Sequence, residues 1–327
     1  MSIANIISQL LQSDDSAIRL KTYITLLGFS YDNKKVHDIV DSLKTSSPTI
    51  SSIFQYVPLD THLYQFGVYK KWQGIHWLLA RLADIDYPLH DELLFASRDI
   101  EYNWLLSDKH WEKKQMINGR KRFCASQEGN GVYSTVKLGI DDDRCEKLVD
   151  RLITYQWPDG GWNCDQNPEA KHSSYHESLI PLRALNIYAE KYNHSGAKKA
   201  ATKATDLFLK RNLFRRMSNN EIIDKKWLKI HYPPYWHYDY FIALKVLAEA
   251  DKITDKRCSE ALDLLENKQL PRGGFPKEGR YCQSSNPDAP YYHPADWGRI
   301  NKYKIHEWVT IDALFILNKA NRIDIEY

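Results

Sequence analysis

The stretch Tyr155-Gln156-Trp157-Pro158-Asp159-Gly160-Gly161-Trp162 decides how this chain of 327 residues is read. It closes an amphipathic run from Cys145 to Tyr155 and opens a polar loop. A second copy, Lys268-Gln269-Leu270-Pro271-Arg272-Gly273-Gly274-Phe275, closes the run from Arg257 to Lys268, its glutamine 113 residues after Gln156. Beyond each loop comes a helix-like segment that begins with histidine and aromatic residues: His176 to Leu185 after the first copy, His306 to Leu314 after the second. Comparable segments start at His237 and at Trp72. Recurrence on this scale marks a repeat architecture in which each unit buries its apolar face against the next.

Outside the repeats the apolar spacing is again helical. Ile3, Ile6, Ile7, Leu10 and Leu11 share one helix face that stops near Ser13. Asp14 or Asp15 is placed to cap a second helix ending at Gly28, and Val36 to Leu43 follows the same period. No run alternates with period two, so the fold class expected is all-α. Helix pairs of about fifty residues, roughly six in all, predict a closed ring with aromatic helices inside and charged ones outside. The ring is expected over residues 61–327, with residues 1–60 as helices packed on it. An open armadillo-type solenoid is the alternative.

The composition narrows the function classes. Forty-five lysines and arginines against 42 acidic residues leave a net charge of +3, which gives no reason to invoke nucleic acid. No apolar run is long enough to span a bilayer. Five scattered cysteines without a C-x-x-C pair fit reduced thiols and a cytoplasmic setting. Ten tryptophans and 21 tyrosines exceed what a core of this size needs, which directs attention to an aromatic pocket.

The Gln-x-Pro-Asp-Gly-Gly-Trp pattern at 156–162, with its echo at 269–275, resembles the QW-type repeats of squalene–hopene cyclases and protein prenyltransferase β subunits, the terpenoid cyclase-like α/α-toroid superfamily. The resemblance implies a single toroid with a pocket on its axis, and makes Gln156, Trp162, Gln269 and Phe275 scaffold that ties outer helices together. It does not bring the chemistry. The D-x-D-D motif of the cyclases is absent, since Asp141-Asp142-Asp143 is followed by Arg144 and reads as a helix cap. The Asp-x-Cys of the prenyltransferases is reversed here to Cys164-Asp165.

Candidate site residues follow from the helix starts. Aligning the inner helices on Ala184, Ala243 and Ala313 makes Ser178, His237 and Glu307 equivalent, and extending the register adds Trp72 and Glu128. With Cys124 and His176 these form an expected catalytic group: His237 as general acid or base, Glu307 as its partner, Glu128, Cys124 and His176 beside them. Trp72, His76, Gln127, Tyr235, Trp236, Asp239 and Trp308 are expected to line the pocket. Asp165, His172 and His176 are the metal candidates, and zinc is the ion those donors suit. Three readings stay open: an enzyme acting on a small, partly apolar and isoprenoid-like molecule by acid–base or metal-assisted chemistry; a non-catalytic toroid that binds a ligand or partner protein; and a thioester or cysteine-nucleophile protein using Cys124, where Cys124-Ala125-Ser126-Gln127 resembles the thioester motif of the complement and α2-macroglobulin family, with Ala-Ser in place of its Gly-Glu.

Overall fold

The computed structural model describes residues 2–64 and 66–325. The fold is all-α. Among the described residues there are fourteen α-helices and one two-stranded sheet. Ser2 caps α1 (Ile3–Leu11), and the Asp15 carboxylate accepts the Ala17 N–H at 3.0 Å to start α2 (Ser16–Lys21), which runs on as a π-helical turn, Thr22–Leu26. Then follow α3 (Lys34–Ser46), α4 (Pro48–Phe54), α5 (Ile75–Asp84), α6 (Phe95–Leu106) and α7 (Asp108–Trp111). β1 (Gln115–Ile117) and β2 (Arg120–Arg122) pair antiparallel around Asn118-Gly119, both at positive φ as a tight hairpin turn requires. The chain continues through α8 (Ala125–Leu138), α9 (Arg144–Thr154), α10 (Tyr175–Tyr192), α11 (Ser195–Leu209), α12 (Tyr240–Glu249), α13 (Ser259–Glu266) and α14 (Glu307–Lys319).

The helices divide by burial. α5 is buried along its whole length, α12 along all but Glu249, and α8 along nearly all of it. In α9 and α13 one stripe is buried, Cys145, Leu148, Val149 and Leu152 in the first and Ala261, Leu262 and Leu265 in the second. Packing runs in sequence among the buried helices: α5 against α8, α8 against α10, α10 against α12, α12 against α14, and α14 against the π-helical turn after α2. Their outer partners α6, α9, α11 and α13 each pack on the buried helix that precedes them.

A buried ion network holds the buried helices at one end. Asp84 at the end of α5 pairs with Arg81 at 3.2 Å, Arg183 of α10 at 2.9 Å and Lys245 of α12 at 2.8 Å. Lys245 also reaches Asp312 of α14 at 2.9 Å, and Asp312 pairs with Lys21 of α2 at 2.9 Å. Lys21 is only 1 % exposed and donates to the Asp84 carbonyl as well, so the N-terminal segment reaches both α5 and α14. Burial alone would push the Lys21 ammonium down, but Asp312, Asp84 and Asp86 outweigh it and hold it above its ordinary value.

The glycine-rich turns act as spacers between layers. Gln156 Nε2 donates to Gly160 O and to Ala200 O of α11, both at 2.8 Å, so this side chain ties the loop to the next outer helix. Gly160 has φ 102°, and a Cβ there would lie 2.4 Å from Lys203 O of the same helix. Trp162 and Phe275 are both fully buried. The Trp162 N–H donates to Ser178 Oγ at 3.0 Å, and the Phe275 N–H to Thr310 Oγ1 at 2.9 Å. Gln269 differs from Gln156: it is exposed. No helix among the described residues is long and apolar enough to cross a membrane.

Candidate functional site

The hydrogen bonds of Trp162 and Phe275 correct the register used to find candidate residues. They make Ser178 equivalent to Thr310, each four residues past an N-cap, Ser174 in one helix and His306 in the other. The other caps are Gly74, Cys124 and Asp239. Measured from its own cap, Ser178 is four residues in, Glu307 one residue in, and His237 two residues before its cap. Ala184, Ala243 and Ala313 stand ten, four and seven residues past their caps, so alignment on Ala-Leu does not align the helix starts. α12 also starts late, at Tyr240, after a bend at Tyr232-Pro233 and a turn at Tyr235-Trp236, where Tyr235 has φ 50° and the His237 N–H donates to Pro234 O.

Glu307 accordingly sits with the N-terminal helices, away from any contact with His237. It lines a 420 Å³ cavity with Ile6, Leu10, Asp15 and Trp308. Burial raises its carboxyl pKa, Ser13 opposes the shift through a hydrogen bond, and Asp15 and Asp14 add to it. Trp308 packs on Trp297 at 5.7 Å and on Tyr232 at 6.4 Å, within the same region.

His76 and Asp239 are held by structural bonds. His76 Nδ1 meets Glu101 at 2.7 Å while its Nε2 meets Asn130 at 3.2 Å, all fully enclosed. Asp239 accepts the Ile242 N–H at 2.9 Å as helix cap and faces His231 Nδ1 at 3.0 Å. Glu128 is completely buried, 3.5 Å from His110 Nε2, and its two carboxylate oxygens have no hydrogen-bond partner among the described residues.

The remaining candidates gather where α5, α8, α10 and α12 begin. Trp72 stacks on Tyr235 at 3.9 Å and donates its indole N–H to Tyr281 O at 2.8 Å. His237 stacks on Tyr281 at 3.6 Å and on Trp236 at 4.5 Å. The His176 ring lies 6.3 Å from that of His237 and 5.2 Å from Trp236. The Lys71 ammonium covers the faces of both Trp72 and Trp236, at 5.3 and 5.0 Å.

Backbone contacts fix the two imidazoles in opposite tautomers. His176 Nδ1 accepts the Tyr238 N–H at 2.8 Å, so the neutral ring carries its proton on Nε2. His237 Nδ1 lies 3.3 Å from Pro234 O, an acceptor only, so this ring donates through Nδ1 and keeps a lone pair on Nε2. Burial, then the neighbouring His176, pushes His237 down to about 3, and burial lowers His176 too. Both rings are therefore neutral near pH 7, one an N–H donor and the other a base.

Next to them is a thiol cluster. Cys124 Sγ, Cys164 Sγ and a Glu177 carboxylate oxygen lie within 4.8 Å of one another. The Cys164 thiol leans on Glu177 Oε1 at 3.6 Å, and Glu177 Oε2 accepts the Ser126 N–H at 3.0 Å. The hydrogen bond from Cys164 lowers the Cys124 pKa against burial, while that same bond, burial and Glu177 raise Cys164. Burial raises the Glu177 carboxyl. Tyr69 lies beside Gln127, within the field of all three groups. Tyr69 and Gln127 in turn line a cleft of 650 Å³ with Trp104 and His110. Lys71 links the two clusters, since it feels the charge of Cys124 and is felt by His237.

The expected metal set is not assembled. Asp165 and His172 are exposed on the loop before α10, where the Asp165 carboxylate accepts the Asn167 N–H and the His172 carbonyl takes the Asn163 amide. His176 is turned to the backbone of Tyr238. Cys164, the neighbour of Asp165, is the loop residue that turns inward, and Glu177 is the member that sequence reasoning missed. Its only sequence signal was a carboxylate in the first turn of an inner helix, a position explained equally well by the helix dipole. No family model, curated protein or solved structure matches this chain.

Proposed function

We propose that the chain is an enzyme acting on a small, partly apolar molecule bound among the aromatic side chains where α5, α8, α10 and α12 begin, with His237 as general base and His176 as proton donor. The sequential packing of buried helices supports taking the fold as an α/α toroid whose chemistry gathers at one end of the inner helices. The observation that carries the reading is the complementary tautomer pair. Two imidazoles 6.3 Å apart, fixed by Tyr238 N–H and Pro234 O, offer one Nε2–H and one Nε2 lone pair. A buried neutral pair of this kind presents a hydrogen-bond donor and a lone pair to a bound molecule without net charge, as a neutral histidine that polarises a carbonyl does. Trp236, Tyr281 and Trp72 give the apolar wall, and Lys71 over two tryptophan faces gives one fixed positive charge beside it.

The test is a comparison of small-molecule extracts incubated with the wild-type chain and with His237→Gln, read by mass spectrometry. The reading expects a compound consumed by the wild type and spared by the variant. A compound consumed equally by both, or none consumed by a folded wild type, contradicts it. Retention of a ligand that leaves unchanged would instead assign the chain to the binding toroids.

A further inference from the structure

Three groups that each carry negative charge when deprotonated are brought together from three separate segments. Cys124 is the residue that precedes α8, Cys164 follows the Gly160-Gly161-Trp162 turn, and Glu177 stands in the first turn of α10. All three positions are anchored. The Phe123 N–H donates to Asn163 O, which ties the approach to α8 to the loop that carries Cys164. The Ser174 N–H donates to Trp162 O, which ties the same loop to the start of α10. The fold therefore places the three donors side by side independently of anything the side chains gain from one another.

As the side chains stand, the cluster is under-compensated. Glu177 is buried, and among the described residues no lysine or arginine forms an ion pair with it. Its partners are one backbone N–H and the Cys164 thiol. Buried carboxylates are ordinarily matched by a cation or spent on a metal. Two thiols at the same point supply the soft donors that select zinc over magnesium or calcium. All five cysteines are free, so the Cys124–Cys164 pair is not consumed by a disulfide. Tetrahedral zinc holds sulfur at about 2.3 Å and oxygen at about 2.0–2.2 Å, which sets ligand atoms a little under about 4 Å apart. Donors already within 4.8 Å reach that spacing by small rotations.

We infer that Cys124, Cys164 and Glu177 are the three protein ligands of a zinc ion, leaving a fourth coordination position on the side of Tyr69 and Gln127. Three protein ligands with one open position is the arrangement of catalytic zinc, whereas structural zinc is closed by four. Tyr69 and Gln127 border the 650 Å³ cleft, the side from which a water or a substrate heteroatom would approach. Zinc there would act as a Lewis acid, or lower the pKa of a bound water. The ligand set stands on its own geometry; only the use of its open position in catalysis rests on the acid–base reading above.

The test is metal analysis of the full chain purified under reducing conditions, followed by replacement with cobalt(II). One zinc per chain is expected, and the cobalt form should show a thiolate-to-metal charge-transfer band together with tetrahedral d–d bands. Cys124→Ser and Cys164→Ser should each weaken metal affinity by more than the 10–100-fold that outer-shell partners cost, and each should reduce the charge-transfer band. Cys258→Ser, at a buried thiol in the cap position of α13, should leave stoichiometry and spectrum unchanged. In case a serine variant is poorly folded, a second measurement uses the wild type alone: a chelator should lower its melting temperature, and added zinc should restore it. Absence of zinc with no cobalt thiolate band overturns the site, as does a metal retained by the folded Cys124→Ser/Cys164→Ser double variant. His237→Gln separates the two readings, because it should keep the metal in full while losing turnover.

Discussion

Replacing Lys21 by methionine probes how the N-terminal segment is joined to the buried helices. Its ammonium is buried, pairs with Asp312 at 2.9 Å and also reaches the Asp84 carbonyl. Methionine keeps the length and apolar stem but leaves the Asp312 carboxylate with Lys245 alone and the Asp84 carbonyl without its donor. Breaking a buried ion pair from one side costs about 3–5 kcal/mol, mostly because the stranded charge remains buried. Lys21→Met should therefore destabilise by that amount near pH 7. The Lys21 pKa is held above its unfolded value, so its contribution is complete below about pH 10 and is lost only as pH rises through the folded value. Asp84, whose carboxyl is held well below the usual range by Lys245, Arg81, Arg183 and Lys21 despite burial, loses its contribution only in strong acid. Urea unfolding followed by tryptophan fluorescence provides the assay, with Asp312→Asn and the double variant completing a cycle. A coupling energy above about 1 kcal/mol is expected for residues in direct contact. A Lys21→Met chain within about 0.5 kcal/mol of wild type, or additive single variants, would refute the idea that this segment is keyed into the network.

Trp162→Ala should cost about 3–5 kcal/mol, as loss of a fully enclosed indole does, and Gln156→Ala about 1 kcal/mol through its bonds to Gly160 O and Ala200 O; both are read from thermal melts, and an unchanged melt for Trp162→Ala would be inconsistent with its burial. Burial pushes His293 and His237 down to about 3 and His306 down to about 4, so the unfolded chain binds more protons than the folded one between about pH 6.5 and those values. Stability should fall steadily as pH drops through that window, and a flat profile between pH 6 and 4 would contradict neutral buried imidazoles. In the metal-free, reduced chain, iodoacetamide should label Cys124 first, with Cys145 and Cys258, whose thiols burial pushes up to about 12, labelled last; peptide mapping checks the order.

The helices were legible in the sequence wherever their ends carry chemistry. Asp15 caps α2 as its position before Ile18 suggested, and Ile3–Leu11 forms the first helix with Ile6, Ile7 and Leu10 inward. Asn118-Gly119 was a local turn signal, but the strands around it are three residues each and too short to show alternation. Sequence spacing could not settle registry between inner helices. The Ala-Leu pair lies at a different distance from the cap in each helix, whereas the reliable marker is a single hydrogen bond, from Trp162 to Ser178 or from Phe275 to Thr310. That error placed Glu307 beside His237. The thiol cluster was half visible: Cys124 and Cys164 each stand out at a helix start or after a repeat motif, but their meeting with Glu177 depends on how two loops pack. Lys21 gave no signal at all, because a lysine becomes informative only once its burial is known.

Anomalous diffraction from crystals grown without chelator, collected on both sides of the zinc absorption edge, tests the central claim most directly. One strong zinc peak is expected between Cys124 Sγ, Cys164 Sγ and Glu177, with metal–sulfur distances of about 2.3 Å and a fourth position facing Tyr69 and Gln127. A peak at His172 and Asp165 instead, a Cys124–Cys164 disulfide, or no anomalous signal in a zinc-soaked, reduced crystal would contradict it.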